Sequence, residues 1–173
     1  INRVLKEISS VLSLPQPITE ERKYIVKVNG GNIPNTVNSE IWQTYLVSEP
    51  GSEVRLRRRM WERGKFINVH TTKRRVNENE EIETERQVSN ALSESLLTQA
   101  DPYRHTIHKR RMTFIYEGQY FELDEYLDRL QGLVILETKG MAEGETVKLP
   151  GNVEIVKDIT GDKNYYNYNL SLR

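Results

Sequence analysis

Residues 54–59 have the sequence Val-Arg-Leu-Arg-Arg-Arg, with an arginine at every second position: Arg55, Arg57 and Arg59. Side chains alternate between the two faces of a β-strand, so these three side chains would project from one face. The intervening residues would project from the other. A strand with one charged face suits a sheet that curves around a wet interior. The stretch therefore predicts a β-barrel with an interior lined by ions.

The complementary acidic pattern occurs at residues 121–126, Phe-Glu-Leu-Asp-Glu-Tyr, where Glu122 and Asp124 share one face. An earlier segment supplies an acid and a base at the same spacing, Glu21 and Lys23. The arginine set on residues 54–59 and the acidic set on residues 121–126 have opposite charge. Strands that carry them can therefore neutralise one another inside a closed sheet.

Turn signals divide the chain into eight predicted strands. They are expected over about residues 19–28, 41–48, 53–62, 65–74, 81–88, 105–116, 119–127 and 133–139. Short helices are predicted over 1–14, over 89–99 with Ser89 as N-cap, and within 153–166. This succession predicts a mainly β (α+β) fold, an eight-stranded antiparallel β-barrel or tunnel with a few short flanking helices.

The predicted domain division falls after residue 17, because Pro15 and Pro17 end the first helical pattern. Residues 1–17 are interpreted as a helix and linker, and residues 18–173 as the tunnel domain. The first residue is Ile1 rather than Met. We therefore expect the sequence to be part of a larger protein.

Composition narrows the function classes. Lys+Arg and Asp+Glu are both 25, so no overall positive field would attract nucleic acid or an acidic membrane. The chain has no cysteine, which excludes disulfides and thiolate metal sites and indicates a cytoplasmic setting. No apolar run approaches the roughly 20 residues that a transmembrane helix needs. We expect no nucleic-acid partner and no transmembrane segment.

Six cations on the predicted strands are candidate phosphate ligands. They are Lys23, Arg55, Arg57, Lys73, Lys109 and Arg111. If the strands close around an interior, these cations converge there and require carboxylates or a polyanion, since a buried unpaired charge is very unfavourable. Phosphate chains suit arginine, which donates bidentately to phosphoryl oxygens.

Four carboxylates are candidate metal ligands. They are Glu21, Glu122, Asp124 and Glu137, and Glu81, Glu83 and Glu85 alternate on the fifth strand. Carboxylates beside a phosphate chain commonly bind Mg²⁺ or Mn²⁺. A simpler alternative is that these charges form solvated cross-strand pairs, worth about 0.2–1 kcal/mol each.

Taken in order, these motifs resemble the CYTH domain, also called the triphosphate tunnel metalloenzyme fold. The matching segments are Glu21-Arg22-Lys23, Arg55-Leu56-Arg57, Thr71-Thr72-Lys73, Lys109-Arg110-Arg111, 121–124 and 132–137. The likeness extends from about Thr19 to Leu172. Within the family, residues 105–111, 119–124, 136–138 and 168–172 look like the branch fused to an N-terminal P-loop NTPase, the TRPL-translocation-defect-like proteins. That resemblance implies an NTPase domain as partner, with residues 1–14 as its last helix.

Two positions depart from the family's pattern. Thr19 stands where the first strand of the family has a glutamate, and Lys139 stands at the second glutamate of its last strand. Together they change the local charge by +3. This change implies weaker binding of Mg²⁺ or Mn²⁺ and stronger binding of a bare polyanion.

Three functions follow from the pattern and the resemblance. The domain could be a ligand-binding or regulatory module that holds a triphosphate, a polyphosphate or a phosphorylated headgroup for an attached NTPase. It could be a metal-dependent triphosphatase acting on inorganic or organic triphosphates. It could also be a tunnel that has lost its ligand and serves only as an interaction surface.

Overall fold

A computed structural model describes residues 20–62, 64–77, 80–141 and 144–173. The predicted helix and linker over residues 1–17, Thr19 and the side chain of Glu81 lie outside this description. No helix among the described residues is long and apolar enough to cross a bilayer.

The described chain is dominated by one antiparallel sheet of nine strands. In chain order they are β1 (Glu20–Val28), β2 (Val37–Leu46), β3 (Ser52–Glu62), β4 (Lys65–Asn77), β5 (Glu80–Val88), β6 (Ile107–Tyr116), β7 (Gln119–Tyr126), β8 (Val134–Met141) and β9 (Val153–Asp158). Their spatial order is β5-β4-β3-β2-β6-β7-β8-β1-β9. The predicted mainly β, antiparallel class is confirmed.

The structure differs from the predicted arrangement in two details. Residues 153–158, Val-Glu-Ile-Val-Lys-Asp, form a ninth strand rather than a helix. Their β-branched residues suit a strand, and β1 offers an edge with which they pair antiparallel from Tyr24↔Asp158 to Val28↔Val153. In addition, β5 and β9 are the edges of the described sheet and are not hydrogen-bonded to each other. The sheet is therefore not closed into a barrel by hydrogen bonds.

Two short α-helices flank the sheet. Helix α1 (Asn90–Leu97) follows β5, and the side chain of Ser89 accepts a hydrogen bond from the Leu92 N–H, as the predicted N-cap requires. Helix α2 (Asn167–Leu170) lies near the end of the chain. Single turns of 3-10 helix occur at Asp128–Leu130 and Lys163–Tyr165.

The main hydrophobic core lies on the convex face of one half of the sheet. It contains Tyr24, Val26, Ile33, Phe114, Phe121, Leu123, Leu136 and Val153. Phe121 and Leu123 alternate with Glu122 and Asp124, so β7 separates apolar from charged side chains by face. Ile33, from the loop after β1, packs against this face and covers it.

The concave face encloses a cavity of about 780 Å³. A smaller apolar cluster of Ile107, Tyr126, Ile135 and Ile159 occupies one end of that face, and Leu170 packs against it. Ile107 and Ile135 each lie two residues before a cavity cation or carboxylate, so they belong to the same face. The C-terminal segment, residues 159–170, therefore closes this end of the cavity.

Replacing Leu123 by alanine tests the convex core. Its side chain is fully buried, and the cavity left by Leu123→Ala is expected to lower the free energy of unfolding by about 2–5 kcal/mol in urea titrations. Ile115 on neighbouring β6 is 68% exposed, so Ile115→Ala should change the free energy of unfolding by less than about 0.5 kcal/mol. Equal losses in the two variants would contradict this assignment of the core.

Candidate functional site

The cavity on the concave face collects nearly all the residues that the sequence singled out. Nine of the ten candidates line it: Lys23, Arg55, Arg57, Lys73, Lys109, Arg111, Glu21, Glu122 and Glu137. The tenth, Asp124, lies directly behind the lining. Alternation along the strands explains the convergence, because β1 to β8 all turn the same face inward.

The half of the cavity formed by β1, β6, β7 and β8 contains short, buried ion pairs, and we call it the locked wall. Register places Arg111 opposite Asp124. Arg111 Nε donates to Asp124 Oδ1 at 2.6 Å, and Lys109 Nζ donates to Asp124 Oδ2 at 2.5 Å. Burial alone would raise the pKa of Asp124, but Lys109 and Arg111 outweigh it and hold that pKa below its usual range. Asp124, whose side chain is only 1% exposed, is therefore a carboxylate committed to two cations.

Two further carboxylates, Glu137 and Glu122, complete the locked wall. Lys23 is paired in register with Glu137, and Lys23 Nζ lies 2.7 Å from Glu137 Oε1. Burial opposes the charge of Glu137, yet Lys23 and Lys109 lower its pKa. Glu122 accepts from Arg111 Nη1 at 2.6 Å and from the Tyr120 hydroxyl at 2.8 Å. Each of these carboxylates thus has a cation from the chain itself.

Lys139 projects into the cavity. Its Nζ lies 3.8 Å from Glu122 Oε2, and its side chain is about half exposed. The departure from the family's pattern at this position therefore places an ammonium group inside the site.

The opposite half, which we call the arginine wall, consists of Arg55, Arg57 and Arg59 on β3 and Lys73 on β4. Its carboxylate partners are Glu83 and Glu85 on edge strand β5 and Glu53 on β3 itself, whose Oε1 lies 3.9 Å from Arg55 Nη1. The ion pairs are longer than those of the locked wall: Arg57 Nη2 lies 3.3 Å and Arg55 Nη2 3.6 Å from Glu85 Oε1. The ion pairs of the arginine wall are therefore weaker than those of the locked wall.

Positive charge is in excess at the arginine wall. Burial lowers the pKa of Arg57, and Arg55 lowers it further. Burial also lowers the pKa of Arg59, with a contribution from Arg111 across the cavity. Among the described residues, Arg55 Nε is buried without a hydrogen-bond partner. Both shifts oppose the charged form; burial contributes most to each, and the neighbouring arginines add to it.

Sequence patterns did not identify several other lining residues. They are Ile41, Gln43, Tyr45, Glu53, Thr160, Gly161, Tyr166, Asn167 and Tyr168. Gln43 could have been found, since it alternates with buried Ile41 and Tyr45 along β2. The C-terminal residues carry no such signal, because their position depends on how the last segment packs across the end of the sheet.

The carboxylates, as arranged here, do not fit a divalent metal ion. Asp124 accepts three charge-assisted hydrogen bonds from Lys109 and Arg111, and Glu137 and Glu122 are each paired with cations. In the part of the chain that the structure describes, no group of three or more His, Cys, Asp or Glu is placed to hold a metal. The role of Glu21, Glu122, Asp124 and Glu137 as metal ligands stays a prediction.

Comparison with known proteins bears on the fold. No protein-family model matches the chain. Two solved structures of NE1496, one described as a hypothetical protein and the other as an inorganic triphosphatase, are 24% and 23% identical, with TM-scores of 0.66 and 0.65. They cover 90% and 91% of this chain, and 99% and 97% of their own. The chain has a CYTH-type tunnel fold.

A curated relative from Acetivibrio thermocellus, named inorganic triphosphatase, is 41% identical over 64 residues. The match covers 37% of this chain and spans only 40% of the relative. These comparisons support the resemblance to the CYTH family. None of them concerns the branch fused to a P-loop NTPase, which stays a prediction.

Replacing Asp124 by asparagine tests the locked wall. Asp124→Asn leaves the buried Lys109 without its carboxylate partner and Arg111 with Glu122 alone, so the free energy of unfolding near neutral pH should fall by about 3–5 kcal/mol. Glu125→Gln, on the opposite face of β7 in an exposed pair with Arg110, should cost less than about 1 kcal/mol.

The pH dependence of the same variant has a defined sign. The pKa of Asp124 is lower in the folded than in the unfolded chain, so its stabilisation is complete above the unfolded value of about 3.9 and is lost as pH falls further. The deficit of Asp124→Asn should therefore shrink below about pH 4 in urea titrations, and a constant deficit would contradict the assignment.

Proposed function

We propose that the cavity binds a triphosphate or polyphosphate chain through its cations. The observation that carries the proposal is the excess of positive charge at the arginine wall, where four cations line the cavity beside three carboxylates, Glu53, Glu83 and Glu85. A chain of phosphoryl groups supplies closely spaced negative charges, and arginine binds each of them bidentately. The description of NE1496 and the name of the curated relative support the same ligand class.

The two walls would contribute differently to the ligand. Arg55, Arg57 and Lys73 have long ion pairs that a phosphate can replace. Lys109 is paired with Asp124, so it would attract the ligand through its positive charge and would not donate a hydrogen bond to it. Lys139 adds an exposed ammonium from the other side of the cavity. A phosphorylated headgroup would use the same contacts through its phosphates.

We further propose that binding is the main role, as part of a ligand-binding or regulatory module attached to an NTPase domain. Support for binding without turnover comes from the locked wall, where carboxylates are paired with cations rather than gathered around a metal position. The NTPase attachment rests on the sequence resemblance alone.

Hydrolysis is the second candidate function, because the curated relative is named inorganic triphosphatase. The CYTH resemblance implies Mg²⁺ or Mn²⁺ as cofactor for that reaction. Glu21 and Glu122 are the carboxylates best placed to contribute, since Glu21 is exposed and Glu122 faces the cavity.

Calorimetric titration of tripolyphosphate in EDTA tests the binding proposal. Arg57→Ala removes one charge-assisted contact, worth about 1.5–3 kcal/mol, so the affinity should fall about ten- to hundredfold. Arg110→Ala is the matched control, because Arg110 lies on the convex side and is 54% exposed. Unchanged affinity in Arg57→Ala would reject the proposed site.

Phosphate release separates the two functions. We expect tripolyphosphate to bind the protein in EDTA and to release no phosphate with Mg²⁺ or Mn²⁺. Release that depends on the metal and is abolished in Glu122→Gln would instead establish the triphosphatase.

A further inference from the structure

The cations of the arginine wall are already paired with carboxylates of β5. Glu85 Oε1 lies 3.3 Å from Arg57 Nη2 and 3.6 Å from Arg55 Nη2. Glu83 Oε1 lies 3.4 Å from Arg55 Nη2, and its Oε2 lies 3.4 Å from Lys73 Nζ. Two carboxylates therefore contact three of the cations that the proposed function assigns to phosphate.

These pairs are weak by comparison with the locked wall. Their distances exceed the roughly 2.7–2.9 Å of a good charge-assisted hydrogen bond, whereas Lys23 and Glu137 lie 2.7 Å apart. The side chains of Glu83 and Glu85 are 40% and 35% exposed, so water can solvate both carboxylates when their pairs open. Partly exposed pairs of this kind contribute little to stability. Opening them for a ligand is therefore inexpensive.

Glu85 is also held in position. Thr71, which is fully buried on β4, donates from Oγ1 to Glu85 Oε1 at 3.0 Å. This hydrogen bond keeps the carboxylate beside the guanidinium groups of Arg55 and Arg57. The arginines can turn from Glu85 to an incoming anion while the Thr71 contact remains.

We propose that Glu83 and Glu85 are an internal competitor for the ligand: they occupy the anion positions of the arginine wall until a polyanion displaces them. The inference rests on the proposed function, because it assumes that phosphate binds this wall. It assigns to two residues of edge strand β5 a role in setting the affinity for the ligand.

The effect of the competitor depends on the length of the anion. A single phosphate can satisfy one arginine, but it leaves the other cations with their carboxylates and gains little. A triphosphate spans several cations at once and replaces both carboxylates together. Glu83 and Glu85 should therefore reduce the affinity for tripolyphosphate more than the affinity for orthophosphate, since the longer anion opens more pairs.

Titrations of tripolyphosphate and orthophosphate in EDTA test this role. Glu85→Gln should bind tripolyphosphate about three- to tenfold more tightly than the unmodified protein and should gain less for orthophosphate, which opens fewer of the pairs. Glu21→Gln removes the same charge from the cavity, but Glu21 makes no ion pair among the described residues, so its gain should be smaller. Glu125→Gln, on the convex face, should bind as the unmodified protein does.

A double-mutant cycle distinguishes direct competition by Glu85 from the general effect of removing one negative charge from the cavity. If Glu85 acts by occupying Arg57, the gain from Glu85→Gln shrinks in the Arg57→Ala background, while the gain from Glu21→Gln persists. Equal gains in Glu85→Gln and Glu21→Gln, or weaker binding in Glu85→Gln, would overturn the inference. Glu83→Gln provides a second variant if loss of the Thr71 contact unfolds the first. Absence of tripolyphosphate binding by the unmodified protein would reject the proposed function itself.

Discussion

The buried carboxylate of Asp124 is the constraint on which the site depends. It lies behind the cavity lining and accepts from Lys109 and Arg111, two cations of the neighbouring strand that could not be buried there without it. Because β6 and β7 are held in register by this contact and by the apolar pairs on their other face, the remaining charges of both strands are fixed in direction. Removing the carboxylate would leave Lys109 without its partner and Arg111 with Glu122 alone, so the locked wall depends on Asp124.

That constraint explains the difference between the two walls. The short ion pairs of the locked wall engage both the carboxylate oxygens and the donor groups of the cations. They make this wall rigid, and they leave few of its donors available to a ligand. Long pairs leave Arg55 and Arg57 able to exchange partners. A cavity that must be stable without its ligand and still bind it needs both kinds of pair. The division also argues against a preformed metal position, since a metal would have to displace Lys23 from Glu137 or Arg111 from Glu122.

Much of the fold was predictable because the decisive pattern has period two. Alternation at residues 54–59 and 121–126 identified the inward faces of β3 and β7. The same alternation on the other strands explains why nine of the ten candidate residues line the cavity. Two elements could not be predicted in this way. Strand β9 exists because β1 has a free edge, and the lining residues Tyr166 and Asn167 arrive through the packing of the last segment. Both depend on tertiary neighbours rather than on local spacing, and whether the edges of a sheet meet is a property of its curvature.

Adjacent residues on β6 show why the simpler interpretation of the charges fails here. Arg110 and Glu125 form a cross-strand pair on the convex face, 54% and 41% exposed, as that interpretation expects. Lys109 and Asp124, one residue away on the same two strands, form a pair that is 2% and 1% exposed. The types of charge are alike, and only the face differs. A solvated pair can exchange its partner for water, but a buried pair requires that both charges stay opposite each other on the inward face. Charges on the arginine wall, which belong to that interior and are only loosely neutralised, are then best explained by an anion that comes from outside the chain.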